Sequence, residues 1–152
     1  MTTKGADDLG SPGTMGVIDA LGMRRHPEGG WFAETWRAAT RNDERPPGSA
    51  IVYLLAAGER SHWHRLDADE VWVYSAGGRL ELRVWADGDP GITVYRLGGD
   101  VTGGDAVQAV VPARAWQAAR PLGAWTLLGC IVTPAFEFAG FELAPPDWEP
   151  PA

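Results

Sequence analysis

The stretch Ser61-His62-Trp63-His64-Arg65-Leu66-Asp67-Ala68-Asp69-Glu70 decides how the rest of the chain is read. His62 and His64 are two residues apart, and on a β-strand such residues point to the same face. Both imidazoles are therefore expected to converge on one point, with Trp63 turned away. Asp67-Ala68-Asp69 has turn composition, so Glu70 opens the next strand and returns to the same side. Two imidazoles and a carboxylate on neighbouring strands make a metal site or an acid/base site. Two of the three histidines of the chain lie here.

Short strands separated by turn signals extend outward from this point. Strands are expected at 50–56, 61–65, 70–75, 80–86, 92–97, 106–111, 115–119, 125–133 and 138–143, and earlier at 31–37. Gly77-Gly78, Asp87-Gly88-Asp89-Pro90-Gly91, Gly98-Gly99-Asp100 and Pro121-Leu122-Gly123 divide them. This spacing is that of an all-β sandwich or barrel. One short helix is expected, capped at Ser11 or Thr14, with Val17, Ile18 and Leu21 on one face and Gly22 at its end. Residues 1–13 read as a flexible tail, 14–144 as one domain and 145–152 as an extended, Pro-rich tail.

The 152 residues carry a net charge of −7. That excludes non-specific nucleic-acid binding and anionic membrane surfaces, which require a cationic face. No apolar run approaches the length of a membrane span, and the N-terminus lacks the apolar core of a signal peptide. A cytoplasmic protein is expected. The single cysteine, Cys130, rules out an internal disulfide and lies in an apolar run, as a buried, inert thiol does. No glycine pair leads into a nucleotide-binding loop.

Several pieces resemble the cupin superfamily. Gly58, His62, His64, Glu70 and Gly77 follow its first motif, and Pro112 opens its second. There Arg114 stands where the family tends to have glycine, and Gln117 replaces the histidine that completes the usual metal set. More closely, the chain resembles the small "cupin-5" type family through His26-Pro27-Glu28-Gly29-Gly30, Glu34-Thr35, Ser61 to Glu70, Val111-Pro112-Ala113, Trp116 to Ala119, Gly129-Cys130 and Phe141-Glu142-Leu143. The resemblance implies a double-stranded β-helix, the jelly-roll cupin barrel. It also implies His62, His64 and Glu70 as ligands of one divalent metal (Fe, Mn, Ni or Zn), with Gln117 as a weak fourth.

Without a metal, Glu70 and the imidazoles of His62 and His64 are an acid/base set, since desolvation raises a carboxyl pKa while a nearby imidazolium lowers it. Eight tryptophans suggest a cavity for an apolar or ring-shaped ligand. Glu34, Tyr53, Trp72 and Arg114 are candidate substrate contacts, Arg114 for a carboxylate. His26 and Glu28 read as turn-stabilising residues. The leading expectation is a small-molecule enzyme that moves protons, an isomerase, epimerase or cyclase acting on a sugar-like or polyketide-like compound. The alternatives are a metal-dependent oxygenase or lyase, and a non-catalytic ligand-binding protein. A homodimer is expected, because apolar edge strands need covering.

Overall fold

A computed structural model describes residues 6–151. Eleven strands form two antiparallel sheets. In chain order they are β1 (Arg24–Arg25), β2 (Trp31–Arg37), β3 (Ser49–Ala56), β4 (Ser61–Leu66), β5 (Asp69–Gly77), β6 (Leu80–Trp85), β7 (Thr93–Leu97), β8 (Gln108–Val111), β9 (Trp116–Pro121), β10 (Trp125–Thr133) and β11 (Phe141–Leu143). One sheet runs β1-β2-β3-β10-β5-β8 and the other β11-β4-β9-β6-β7, an all-β arrangement as the strand spacing predicts and consistent with the jelly-roll that the cupin resemblance implies. The final expected strand is split, with a 3-10 turn over Phe138–Gly140 before β11.

The strands form where apolar residues alternate. In β10, Thr126, Leu128, Cys130 and Val132 are buried between the sheets while Leu127, Gly129 and Ile131 face outward. The core between the sheets gathers Tyr53, Leu55, Trp72, Leu80, Leu82, Leu97 and Leu128. Each of these side chains contributes roughly 2 kcal/mol by leaving water. Toward the start of β3 and the end of β10 the packing opens. There Ser49, Ile51, Cys130 and Val132 line a cavity instead of filling the core.

A helix α1 (Ala6–Leu21) covers part of the outer face of the six-stranded sheet, where its Ile18, and Met23 just beyond its end, pack on Leu54. It starts earlier than the expected Ser11 or Thr14 cap, so the expected 1–13 tail is helical from Ala6; Met1 to Gly5 lie outside the described residues. It ends as Gly22 suggests: Gly22 is left-handed (φ 62°), and the Met23 N–H bonds to the Ile18 carbonyl at 2.9 Å. Among the described residues no helix is long and apolar enough to cross a membrane. The C-terminal segment is tied down along its length, with Arg60 donating to the Pro146 carbonyl at 3.3 Å and the Ala144 N–H to the Trp63 carbonyl at 2.9 Å. Trp148 packs on Trp63, Trp85 and Trp116 outside the five-stranded sheet, 4.5 Å between centroids from Trp116.

Candidate functional site

β4 and β9 pair Ser61 with Ala119 and His64 with Gln117, leaving two residues on β4 (His62 and Trp63) opposite one on β9 (Ala118). One extra residue in β4 is a β-bulge, and it reverses the alternation beyond it. Ser61 and His64 therefore face inward. His62 lines a groove on the outer face of the five-stranded sheet with Arg83 and Arg120, its Nε2 2.8 Å from the Pro145 carbonyl. The expectation that His62 and His64 share a face is thus corrected. His62 belongs neither to the acid/base set nor to a metal set.

Its place is taken by Glu28. The turn Pro27-Glu28-Gly29-Gly30 folds under β4, and the His62 N–H bonds to the Glu28 carbonyl at 2.8 Å. The two glycines make this approach possible. Gly29 has φ 111°, and a Cβ there would lie 2.0 Å from the Arg60 carbonyl oxygen. Gly30 has φ 76°, and its Cβ would lie 2.7 Å from the Leu54 carbonyl oxygen. Tyr53, fully buried, donates its hydroxyl to the Gly29 carbonyl. It holds the turn from behind and does not line the cavity, so its expected substrate role is replaced by a positioning one.

Glu28 Oε2 receives the Ser61 hydroxyl and the His64 Nε2, each at 2.7 Å. The other ring nitrogen, His64 Nδ1, lies 2.8 Å from the His62 carbonyl, which only accepts, so Nδ1 carries a proton. Burial pushes the Glu28 carboxyl up, but the charge and hydrogen bond of His64, with His26 and Ser61, outweigh it and hold Glu28 below its ordinary value. Burial likewise depresses His64, and the Glu28 charge and hydrogen bond, then Glu70 and the His62 carbonyl, leave it raised. The two form a buried carboxylate–imidazolium pair.

Glu70 is 6 % exposed, and its Oε1 has no hydrogen-bond partner among the described residues. Burial raises its carboxyl most, and the Glu28 charge adds to this. His64, Gln117 and Trp72 pull the other way, and the balance is about 7. His26, also buried, is lowered by burial against the raising effect of Glu28 and is neutral. Its Nδ1 accepts the Glu28 N–H at 3.1 Å, which puts the ring proton on Nε2.

These groups form the floor of a cavity of about 260 Å³. No tryptophan lines it. Its walls are all four phenylalanines of the chain, Phe32, Phe136, Phe138 and Phe141, set around the His26 ring. The rim holds Arg24, Glu34 and Arg37. Glu34 bonds to Arg37 through both carboxylate oxygens at 3.1 Å, and Arg37 donates to the Phe136 carbonyl at 2.8 Å, so this pair braces the phenylalanine segment.

Other expected contacts lie elsewhere. Trp72 is buried behind the site and donates its indole N–H to Gln117 Oε1 at 2.8 Å. Arg114 is exposed on a left-handed backbone (φ 71°), a conformation that suits glycine, and does not line the cavity. The metal set does not assemble. His62 is turned to Pro145, His64 Nε2 is held by Glu28, and the Gln117 oxygen is held by Trp72. Among the described residues no group of three or more His, Cys, Asp or Glu side chains is placed to hold a metal ion. The donors expected for Fe, Mn, Ni or Zn therefore do not fit a resident metal.

Sequence reasoning missed the roles of His26 and Glu28 and the phenylalanine wall. Consecutive glycines directly after Glu28, and the spacing Phe136-x-Phe138-x-x-Phe141, are the signals that mark them.

Comparison with known proteins agrees with this architecture. A protein from Shewanella oneidensis is 34 % identical with a TM-score of 0.80, over 85 % of this chain and 82 % of that one. A hypothetical protein from Leishmania major is 28 % identical with a TM-score of 0.79, over 86 % of each chain. Oxalate decarboxylase from B. subtilis, at 13 % identity and a TM-score of 0.60, shares the fold over 79 % of this chain and 29 % of its own. No curated protein matches the chain. The family model described as "Cupin superfamily (DUF985)" matches residues 15–144, and the chain belongs to that family.

Proposed function

We propose that this protein is a small-molecule enzyme that moves a proton within a ligand held in the cavity, as an isomerase, epimerase or cyclase does. The observation that carries this is Glu70: a buried carboxyl facing the cavity, with an oxygen lacking any partner and an ionisation near neutrality. Such a group accepts a proton as carboxylate and returns it as acid at the same pH.

The surrounding residues suit that chemistry. Glu70 takes a proton from a carbon next to a ligand carbonyl. The neutral His26 donates its Nε2–H toward the carbonyl oxygen as that oxygen gains negative charge. Glu70 then returns the proton to a conjugated position on the face it left, or to the other face of the same carbon once the planar enol has turned over in the cavity. Burial keeps Glu70 a weak acid and the Glu28 carboxylate adds to this, while the His64 imidazolium opposes it. The phenylalanine walls exclude water, which preserves the raised value.

Proton NMR in D2O tests this with a panel of enolisable carbonyl compounds that includes phenylpyruvate and cyclic 1,3-diketones. The protein is expected to speed exchange of the acidic C–H for deuterium in at least one of them, and Glu70→Gln to abolish it. Exchange that survives Glu70→Gln would overturn the role of Glu70. Ligand binding without exchange in any compound would leave a binding protein.

A further inference from the structure

We propose that the ligand is a flat, mostly apolar ring compound with an anionic group at one end and a hydroxyl or carbonyl oxygen at the other, and not a sugar. This rests on the cavity being the working site.

The walls argue first. Phe136 and Phe138 meet edge to face at 4.9 Å and 85°, and Phe138 and Phe141 at 6.2 Å and 77°. Mutually perpendicular rings offer both an edge and a face to a flat ring inserted between them. Phe138 is 55 % exposed although it lines the cavity, so a bound ring would take apolar surface out of water there.

The floor argues next. Glu28 Oε2 is committed to Ser61 and His64, and Ser49 Oγ accepts the Phe136 N–H. Glu70 Oε1 and His26 Nε2 have no partner among the described residues. With the Ser49 O–H, which remains free to donate, they meet the needs of one or two ligand oxygens. A sugar brings several hydroxyls, and those buried against phenylalanine lose their hydrogen bonds to water without replacement.

The rim supplies the charge. Arg37 is bound to Glu34 and Phe136. Arg24 makes no ion pair among the described residues, and its guanidinium lies 5.1 Å from the Phe32 ring centroid. It is a cation without a counter-charge at the mouth of an apolar cavity, suited to a ligand carboxylate.

The test uses the full chain with three probes in ligand-observed saturation-transfer NMR and calorimetry: 4-hydroxybenzoate, its neutral analogue 4-hydroxybenzamide, and glucuronate. 4-Hydroxybenzoate is expected to bind best, the amide about fivefold more weakly, and glucuronate not at all. Arg24→Met keeps the stem over Phe32 and removes the charge. It should weaken 4-hydroxybenzoate by about fivefold, the upper range for an exposed ion pair, and leave the amide unchanged. Phe138→Ala should weaken both arenes. Glucuronate binding as tightly as the arenes, equal affinity for the acid and the amide, or no arene binding at all would each overturn the proposal. Arenes that bind while none of the enolisable carbonyl compounds exchanges would keep this ligand class and remove the proton-transfer function. Exchange seen only with sugars would do the reverse.

Discussion

Glu70→Gln is expected to stabilise the folded protein, and to do so only where Glu70 is forced to ionise. A carboxyl that ionises near 4.5 in the unfolded chain and near 7 in the folded protein is harder to charge once folded. Its folded value is raised, so below about pH 4.5 it is protonated in both states and costs nothing. As pH rises from 4.5 to 7 the unfolded chain ionises first, and stability falls. Above 7 the cost is constant at about 3 kcal/mol, from 1.36 kcal/mol per pH interval. Glutamine keeps the shape of the neutral acid and never ionises. Urea and thermal unfolding of both proteins from pH 4 to 8.5 would show curves that coincide at the acid end and diverge to about 3 kcal/mol, or roughly 6 to 12 °C in Tm, by pH 8. The Glu28–His64 pair titrates in both proteins and largely cancels in the difference. A difference that is flat with pH, or Glu70→Gln being the less stable at pH 8, would refute the reasoning. Such a cost is expected of a group kept for chemistry and not for folding.

Other substitutions test the parts that hold Glu70. Glu28→Gln removes the charge that keeps His64 protonated, so imidazole NMR should show His64 neutral at pH 7, with a loss of about 2 kcal/mol; a His64 that still titrates above 6.5 would contradict the pair. In the wild type, Glu28 is depressed, so its contribution is lost as pH falls through its folded value. His64 is raised, so its contribution is lost as pH rises through its own; the pair stabilises between the two. Gly29→Ala drives a Cβ into the Arg60 carbonyl and should cost about 3 kcal/mol or more. Gly58→Ala, at φ 82° with nothing within 4 Å, should cost only about 1 kcal/mol, and equal costs on urea unfolding would contradict the close approach of the turn. Mass spectrometry after incubation with iron, manganese, nickel or zinc salts should show no stoichiometric metal, and a bound metal that disappears in His64→Ala would overturn the donor geometry described above.

The barrel was legible because alternation and Gly/Pro punctuation act locally. β10 follows its sequence pattern residue by residue, and His64 and Glu70 do reach one cavity. The position of His62 was not legible. A spacing of two implies one face only in an unbroken strand, and the bulge between Ser61 and His64 is set by pairing with β9, more than fifty residues on in sequence. Glu28 was hidden for the same reason: what brings it inward is the docking of its turn on β4. The tryptophans misled by composition. Four of them, Trp63, Trp85, Trp116 and Trp148, cluster on the outer face of a sheet, while phenylalanines from β2, from the segment before β11 and from β11 itself build the cavity.

The carboxyl of Glu70 itself gives the most direct test. A carbon-13 NMR titration of glutamate-labelled protein, with Glu70→Gln for assignment, follows its ionisation. One side-chain carboxyl titrating near pH 7 and missing from the variant is the predicted result. Every glutamate titrating below pH 5 would contradict the account, because Glu70 would then be an ordinary carboxylate with no proton to return at neutral pH.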